Sequence, residues 1–575
     1  MCGIFLVKSK HSLNKHDCIN SSNLIKSRGP DYFLQKFFFK EKLYISNSVL
    51  SISGKYKKKQ KKLNHSKNKN LYISYNGEIF NWQDITKKEN IKAENDTQMI
   101  LKLAEKYKKA NFSKNLFGMF AIILFDKKKN KIFFYCDPQG EKKLFYYNHD
   151  GNFIISSSIK PIINYLKKND LDVSMIKDYF NTRHFMFYKK TIYKNIFVTE
   201  PGKIYEFNLK SFKLSEKFYD NPINWINEKL YKSLNENDEI KIKTKLKTLL
   251  ETNAKLMVSK HKFGSIFSGG IDSSLQSVLI NNYKKPNTVS VLNFLNKDKI
   301  TKNIFNFNKY INFKIDRLSI NKKKFIKNFK ACYNITGFPF LTHDFVGKYM
   351  ISKYFRSNGC KVFFGADGVD ELFGGYEIYK KTNWGKIPNP SPYTAFNDNI
   401  KNKKSISNSI NSLWNRVYKK YSFIKNKKER SMQASFFLDY FIQSVYVGNI
   451  GTDIMCSHNG IEPRNIFIKK NIIKFAINLP VRFKINLKKK SNLRLKYIIK
   501  KIFLDFFPNK LIFKKQGFSG FPNEAKHSLL KKNYKNINKI LNHNFKFNSN
   551  INRATEWKII NLELFLKFSK KYYLK

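Results

Sequence analysis

Three groups of residues in this chain have the types and spacing needed for chemistry. The first is Ser268-Gly269-Gly270-Ile271-Asp272-Ser273-Ser274. It follows the apolar run Gly264-Ser265-Ile266-Phe267 and precedes a helix-like pattern, Leu275, Val278 and Leu279. Strand, glycine turn, helix is the layout of a phosphate-binding loop. Glycines let the backbone approach an anion, serines add hydroxyl donors, and a helix start adds unpaired N–H groups at a positive dipole end. Asp272 stands where a carboxylate can hold Mg²⁺ beside those phosphates. A bare S-G-G is usually a turn capping a helix; all seven residues in this setting are more specific. The lysine of a Walker loop is missing.

The second group is Gly365-Ala366-Asp367-Gly368-Val369-Asp370-Glu371-Leu372-Phe373-Gly374-Gly375-Tyr376. Three carboxylates within five residues repel one another and are costly to bury. Their natural companions are Mg²⁺ and phosphate; a solvated acidic turn is the lesser alternative for a segment set after an apolar strand in so basic a chain. The third group begins at Cys2. Loss of the initiator Met would give Cys2 a free α-amine, which titrates near 7.7–8.0 and can act as base for its own thiol. Alone, a Cys at position 2 says little. Here it is followed in order by Arg28-Gly29-Pro30-Asp31, Leu50-Ser51-Ile52, Asn76-Gly77-Glu78-Ile79, Asn95-Asp96-Thr97 and Phe117-Gly118-Met119-Phe120.

S-G-G-x-D-S-S resembles the pyrophosphate loop of ATP pyrophosphatases, which cleave ATP to AMP and PPi while adenylating a substrate. The first 160 residues or so resemble the class II (N-terminal nucleophile) glutamine amidotransferase domain. That resemblance implies glutamine hydrolysis through a thioester on Cys2, with Asn76 and the Gly77 N–H stabilising the oxyanion. It also implies that Leu50, Ser51 and Ile52 line the glutamine site, and that Glu78 and Asp96 hold the amide and α-amine of glutamine. One position departs from the family pattern R-L-S-I: this chain reads Val49-Leu50-Ser51-Ile52. Valine cannot make the charge-assisted contact of an arginine to the α-carboxylate. Losing it would cost roughly 1.5–3 kcal/mol unless another basic side chain substitutes.

The stretch from about 230 to 525 resembles the synthetase domain of glutamine-hydrolysing asparagine synthetases. On that resemblance Asp272 and Asp370 bind Mg²⁺, and Ser268, Gly269, Gly270, Ser273 and Ser274 hold the phosphates of ATP. Phe267, Val291, Phe364 and Gly365 line the adenosine pocket, Asp367 is linked to forming an acyl-adenylate, and Lys515 is the catalytic lysine. Glutamine, ATP and aspartate or another small carboxylate are the implied substrates, and homodimers are common in the family.

These groups need elements to hold them. In the N-terminal half, short alternating runs predict strands over Leu43–Ile45, Leu71–Tyr75, Ile122–Phe125, Lys131–Tyr135 and Phe153–Ser156. A helix is predicted over Thr97–Tyr107. The expected fold is an αββα sandwich of the N-terminal-nucleophile type. Further on, strands over Thr288–Leu292, Asn312–Ile315 and Lys361–Phe364 alternate with helices over Ile240–Val258, Leu275–Asn282, Lys322–Tyr333 and Phe345–Phe355. That alternation predicts a parallel α/β sheet with the nucleotide at the carboxyl ends of its strands. The expected domains are 2–215 (glutaminase), 235–525 (ATP-pyrophosphatase-like synthetase) and 526–575, a Lys/Asn-rich extension with no readable role. Gly460-Ile461-Glu462-Pro463-Arg464 lies between helical segments and could touch substrate or structure.

Composition narrows the partners. The chain has 575 residues, 109 Lys+Arg against 42 Asp+Glu, and a net charge of +67. Such charge raises nucleic acid or a membrane surface as a partner. Yet lysines are spread along the whole length among Asn, Ile, Phe and Tyr, and arginine, the better base reader, is scarce. AT-rich coding explains this more simply than a selected surface, so no specific nucleic acid is expected. Six cysteines without metal or paired spacing suit a reduced, cytoplasmic protein. No signal peptide, apolar run of 18 residues or internal repeat is visible. Fold and motifs do not choose the acceptor, so amidation of another carboxylate such as a sugar acid stays open. Two rival readings stand beside these: an ammonia-dependent synthetase with a weakened glutaminase, which Val49 suggests, and a nucleic-acid-binding protein, which the charge suggests.

Overall fold

Alternating apolar residues in the first 218 positions pair into two antiparallel six-stranded sheets. The strands are β1 (Gly3–Ser9), β2 (Tyr32–Phe38), β3 (Leu43–Val49), β4 (Asn64–His65), β5 (Leu71–Ile79), β6 (Gly118–Asp126), β7 (Lys131–Cys136), β8 (Phe145–His149), β9 (Asn152–Ser156), β10 (Ile196–Val198), β11 (Lys203–Asn208) and β12 (Leu214–Phe218). One sheet has the order β10-β8-β9-β1-β3-β2, the other β12-β11-β7-β6-β5-β4. This computed structural model describes residues 2–56, 62–107, 110–167, 170–182, 186, 189–292, 304–319, 321–340, 344–377, 379, 406–489, 491–513, 535–541 and 558–567.

The period-two alternation sorts side chains into layers. Ile4, Leu6, Ile45, Phe134, Phe153 and Tyr205 meet between the two sheets. Phe5, Val7 and Ile154 face the other way, into a core shared with helix Ile159–Leu166. On the far side, Ile73, Tyr75 and Ile122 pack against Met99, Ile100 and Leu103 of helix Asp96–Tyr107. The result is the expected αββα sandwich. The predicted strands are present and longer than their apolar cores.

The C-terminal half carries a parallel sheet of β13 (Phe263–Ile266), β14 (Asn287–Leu292), β15 (Ile315–Ser319), β16 (Val362–Phe364) and β17 (Glu462–Arg464), in the order β15-β14-β13-β16-β17. Helices connect them. Asp238 caps Glu239–Met257 by accepting from Lys241 N–H, and Asn321 caps Lys322–Thr336 in the same way. A left-handed Gly337 ends the latter. One strand differs from expectation: β15 is Ile315–Ser319, not Asn312–Ile315. Phe313, the apolar residue that suggests the upstream span, is buried against Phe267 with ring centroids 5.8 Å apart. The strand itself is an edge carrying Asp316 and Arg317, so its apolar signal is weak. From β13 the chain winds outward to β15, then returns to lay β16 on the opposite side of β13. Such a reversal opens a crevice at the carboxyl ends of the two central strands.

The two halves meet along a charged seam. Asp453 accepts from Arg28 Nη2 at 2.7 Å and from Lys142 Nζ at 2.9 Å, with all three side chains buried. Lys469 Nζ reaches Glu141 Oε1 at 2.5 Å. A helix over 558–567 adds a pin: Asn561 Nδ2 donates to Tyr179 Oη at 2.8 Å, and its carbonyl accepts from Tyr333 Oη at 3.1 Å. Burial works against the charge on Asp453, but Lys142 and Arg28 outweigh it and hold the carboxyl below its usual range. A depressed carboxylate stabilises the fold fully above its unfolded value, near 3.9, and loses that contribution as pH falls through the folded value. Asp453→Ala leaves two buried cations without their anion, which costs about 3–5 kcal/mol. A thermal melt should show the loss; a change below about 1 kcal/mol would mean that apolar packing alone holds the seam.

Candidate active site

Cys2 sits immediately before β1 and is 5% exposed. Its backbone nitrogen donates to Asn76 Oδ1 at 2.8 Å, while Arg28 Nε donates to its carbonyl at 3.2 Å. The other end of the Asn76 amide matters more. Nδ2 is buried and has no hydrogen-bond partner among the described residues. A buried amide donor left unpaired costs about 1–3 kcal/mol, so it is poised for an acceptor that arrives with a ligand. Gly77 supplies a second donor. Along β5 the N–H groups of Tyr75 and Ile79 donate to Asn47 Oδ1 and Asp96 Oδ2 rather than across to β6. Strand alternation puts the Gly77 N–H on the same edge. A side chain at 77 is excluded: its Cβ would lie 2.1 Å from the Met119 carbonyl oxygen, at φ +152°.

Burial raises the Cys2 thiol above its ordinary value, while the positive amino terminus and the Leu50 backbone N–H pull it back. Asp96 opens helix Asp96–Tyr107 and accepts from Tyr75 Oη at 3.0 Å, Ile79 N at 3.2 Å and Thr97 N at 2.8 Å. Burial still dominates and pushes its carboxyl up to about 7. Glu78 points into the seam. Its carboxylate meets Arg464 from β17, and Arg464 Nε also donates to Glu462 Oε1 at 3.0 Å. Burial pushes Glu78 well above the usual range against the pull of Arg464. Glu462 is more deeply buried than Glu78, yet the charges of the amino terminus and Arg464 hold it below that range.

Leu50 is buried beside the thiol. Ser51 N donates to Asp31 Oδ2 at 2.9 Å, and Lys361 Nζ, just before β16, bridges Asp31 Oδ2 at 2.7 Å and the Ser51 carbonyl at 3.2 Å. Ile52 is half-buried against the core. Val49 is 3% exposed and packs in the same between-sheet core as Cys2.

At the crevice of the parallel sheet, the loop after β13 and the loop after β16 face each other. Ser268 Oγ is 2.8 Å from Ser273 Oγ, and Gly270 caps helix Ile271–Asn281 with no side-chain donor or acceptor used. The Gly269 φ is +72°. Ser274 Oγ is buried without a partner among the described residues. Phe267 and Phe364 are fully buried, Phe364 edge-on to Phe263 at 5.5 Å. Only their backbones can therefore meet a nucleoside. Val291 lies on β14 beside them, and Gly365 N donates to the Arg464 carbonyl at 3.0 Å.

Asp272 and Asp370 converge on one ammonium, that of Lys496. The Asp370 contact is 2.6 Å. Burial disfavours this charge, but the two carboxylates outweigh burial and raise the lysine well above its ordinary value. Lys496 precedes helix Tyr497–Phe503 in a left-handed conformation, φ 51°. One lysine among 109 basic residues offers no sequence signal, and Lys496 is the residue that sequence reasoning missed. The two carboxylates share a cation, so the donor set fits Mg²⁺ provided that phosphate oxygens complete the shell. No cluster of three or more His, Cys, Asp or Glu side chains forms a metal site among the described residues. Asp367 Oδ2 accepts from Lys348 Nζ at 3.0 Å and Thr452 Oγ1 at 3.1 Å. Lys515 lies outside the described residues.

A cavity of about 30 Å³ lies between the two sites. Met119 and Lys142 line it from the N-terminal half, and Asp367, Thr452 and Arg464 from the other. Its size suits one molecule as small as water or ammonia.

Residues 1–219 match the glutamine amidotransferase domain family, and residues 245–571 match the asparagine synthase family. A Methanocaldococcus jannaschii protein named as a glutamine-hydrolyzing asparagine synthetase is 29% identical over 403 residues, 65% of this chain and 76% of that one. Glutamine-hydrolyzing asparagine synthetase 1 of Bacillus subtilis is 25% identical, covering 66% of this chain and 60% of that one. The Gallus gallus glutamine-hydrolyzing asparagine synthetase is 23% identical, covering 68% and 67%.

Gly375 backs the paired carboxylates: a Cβ there would lie 1.8 Å from Asp370 Oδ1 and 2.2 Å from Lys496 Cε. Overpacking of this kind costs about 1–3 kcal/mol. Gly375→Ala should weaken ATP binding in calorimetry roughly ten- to hundred-fold while leaving the Cys2 site intact. Unchanged ATP affinity would remove the Asp370–Lys496 pair from the nucleotide site.

Proposed function

The chain belongs to the asparagine synthase family, and we propose that it makes asparagine from aspartate, with glutamine as nitrogen donor and ATP as activator. The observation that supports glutamine as the nitrogen donor is Asn76 Nδ2 beside Cys2, unpaired among the described residues; aspartate as the acceptor rests on the family likeness. A buried donor with nothing to bind is costly unless it serves a charge that appears only during reaction. The Cys2 thiol attacks the side-chain carbonyl of glutamine, and its proton passes to the α-amine that removal of Met1 would expose. Asn76 Nδ2 and Gly77 N–H receive the oxyanion, ammonia leaves, and water releases glutamate from the thioester. Asp96 holds the α-ammonium of glutamine and Glu78 faces its amide, with Leu50, Ser51 and Ile52 forming the wall.

In the crevice, Ser268, Gly269, Gly270, Ser273 and Ser274 hold the phosphates of ATP, while Phe267, Val291, Phe364 and Gly365 border the adenosine. Asp272 and Asp370 would hold Mg²⁺, which would neutralise charge on the departing pyrophosphate. Lys496 lies between the same carboxylates and offers a second cation for those oxygens. The acceptor carboxylate forms an acyl-adenylate beside Asp367, and Lys515 is assigned to the charge developing there. Activation replaces a poor leaving group with AMP. Delivering ammonia through the interior keeps it from protonation in water.

Purified protein given ATP, Mg²⁺, glutamine and aspartate should release PPi in step with asparagine, and Cys2→Ala should keep this with ammonium chloride but lose it with glutamine. PPi release that ignores aspartate and responds to a sugar acid would move the enzyme to that acceptor. A second expectation concerns pH. With its carboxyl near 7, Asp96 is neutral in acid and charged above that value. The glutamine KM should therefore rise as pH falls through about 7, and Asp96→Asn should flatten that dependence. A KM constant from pH 6 to 8 in the wild type would exclude Asp96 as the amine receptor.

A further inference from the structure

The position expected to bind the α-carboxylate of glutamine holds Val49, buried in the core between the sheets. It donates nothing, so the carboxylate needs another receptor. The loop that follows is stretched between two fixed points. At one end Ser51 N donates to Asp31 Oδ2 at 2.9 Å and its carbonyl accepts from Lys361 Nζ at 3.2 Å. At the other, Lys55 N donates to the Glu94 carbonyl at 2.9 Å, and Asn95 Nδ2 returns a bond to the Lys55 carbonyl at 2.9 Å. Gly54 packs so closely there that a Cβ would lie 2.2 Å from the Glu94 oxygen. Asp96 is the next residue after this contact.

Ser53 lies between the two anchors. It is 9% exposed, and its Oγ is buried with no hydrogen-bond partner among the described residues. Several polar groups of the same loop are already engaged: Ser51 N on Asp31, the Ser51 carbonyl on Lys361, and Tyr56 Oη 3.4 Å from Thr97 Oγ1; Ser48 Oγ, likewise buried without a partner among the described residues, lies back on β3 before Val49. An amino acid carries its α-amine and α-carboxylate on one carbon. If the amine sits at Asp96 and the side-chain amide at Cys2, the carboxylate falls beside the loop that joins them.

We infer that Ser53 is the specificity-determining donor to the α-carboxylate of glutamine, standing in for the absent guanidinium. This rests on the reading of Cys2 and Asp96 as the glutamine site. A hydroxyl carries no charge and gives one hydrogen bond where an arginine gives two. The binding is correspondingly weaker and less dependent on salt than an ion pair.

The test uses the full chain with Cys2→Ala, so that ligands bind without turning over, and calorimetry with two probes. L-glutamine carries the carboxylate, and 4-aminobutanamide is the same molecule without it. Adding Ser53→Ala should weaken glutamine roughly tenfold and leave 4-aminobutanamide unchanged, and Ser53→Thr, which restores a hydroxyl, should recover glutamine affinity. Adding Val49→Arg should tighten glutamine and make the Ser53→Ala loss small. Equal glutamine affinity with and without Ser53→Ala overturns the inference, as does a parallel loss for both probes. A wild-type enzyme that binds glutamine through Ser53 but does not hydrolyse it would instead overturn the glutaminase reading alone. No glutamine binding at all would overturn both.

Discussion

A guanidinium buried at the seam between two domains sets the arrangement of both sites. Arg464 is 2% exposed, and a charge in that position survives only if it is paired and hydrogen-bonded. Its partners come from both halves of the chain: Glu78 from β5, Glu462 from its own strand, and the Met257 carbonyl at the end of a long helix. Its face rests 5.2 Å from the centre of the Phe80 ring. A planar, delocalised cation can serve all of these at once, whereas the point charge of a lysine could not. The Arg464 backbone meanwhile fastens Gly365 at the crevice, and the next residue, Asn465, holds the Asp367 carbonyl at 2.7 Å. One short segment therefore joins Glu78 of the N-terminal half to Gly365 and Asp367 at the crevice. The domains cannot slide without breaking buried ion pairs.

The crevice relies on a related balance of opposite sign. Asp272 and Asp370 arrive from the first turns of helices Ile271–Asn281 and Val369–Phe373, which follow the neighbouring strands β13 and β16, and would repel each other if left alone. Lys496 holds them together, and the glycine behind Asp370 leaves room for that approach. Under the proposed function, a second cation would sit between the same carboxylates and a polyphosphate. Buried lysines recur along this route, with Lys142, Lys348, Lys469 and Lys496 each facing a carboxylate. They are few beside the 109 basic residues of the chain. Most of its charge is thus independent of these sites.

Much is legible in the sequence because the relevant signals are local. Seven residues specify a glycine turn and the start of a helix whatever surrounds them, and alternation in 71–75 or 122–125 needs only neighbours in sequence to declare a strand. Legibility fails where the deciding contact is distant. Periodicity misplaces the strand at Ile315–Ser319 because an edge strand with two charged residues does not alternate, while Phe313 beside it is apolar for the sake of Phe267. The segment Glu462–Arg464 stands out in the sequence without a role, since its role lies in pairing with a glutamate 386 residues away.

By itself, then, the sequence determined the family and the αββα and parallel-sheet architectures, and it proposed the residues in each loop as candidates for glutamine or phosphate. These follow from residue type and short spacing. Only the tertiary structure decided that Lys496 closes the carboxylate pair, that Arg464 locks one domain onto the other, and that Ser53 keeps a buried hydroxyl with no partner among the described residues. Each of these depends on which buried charges and donors find partners, and partners are assigned by packing in three dimensions rather than by order along the chain.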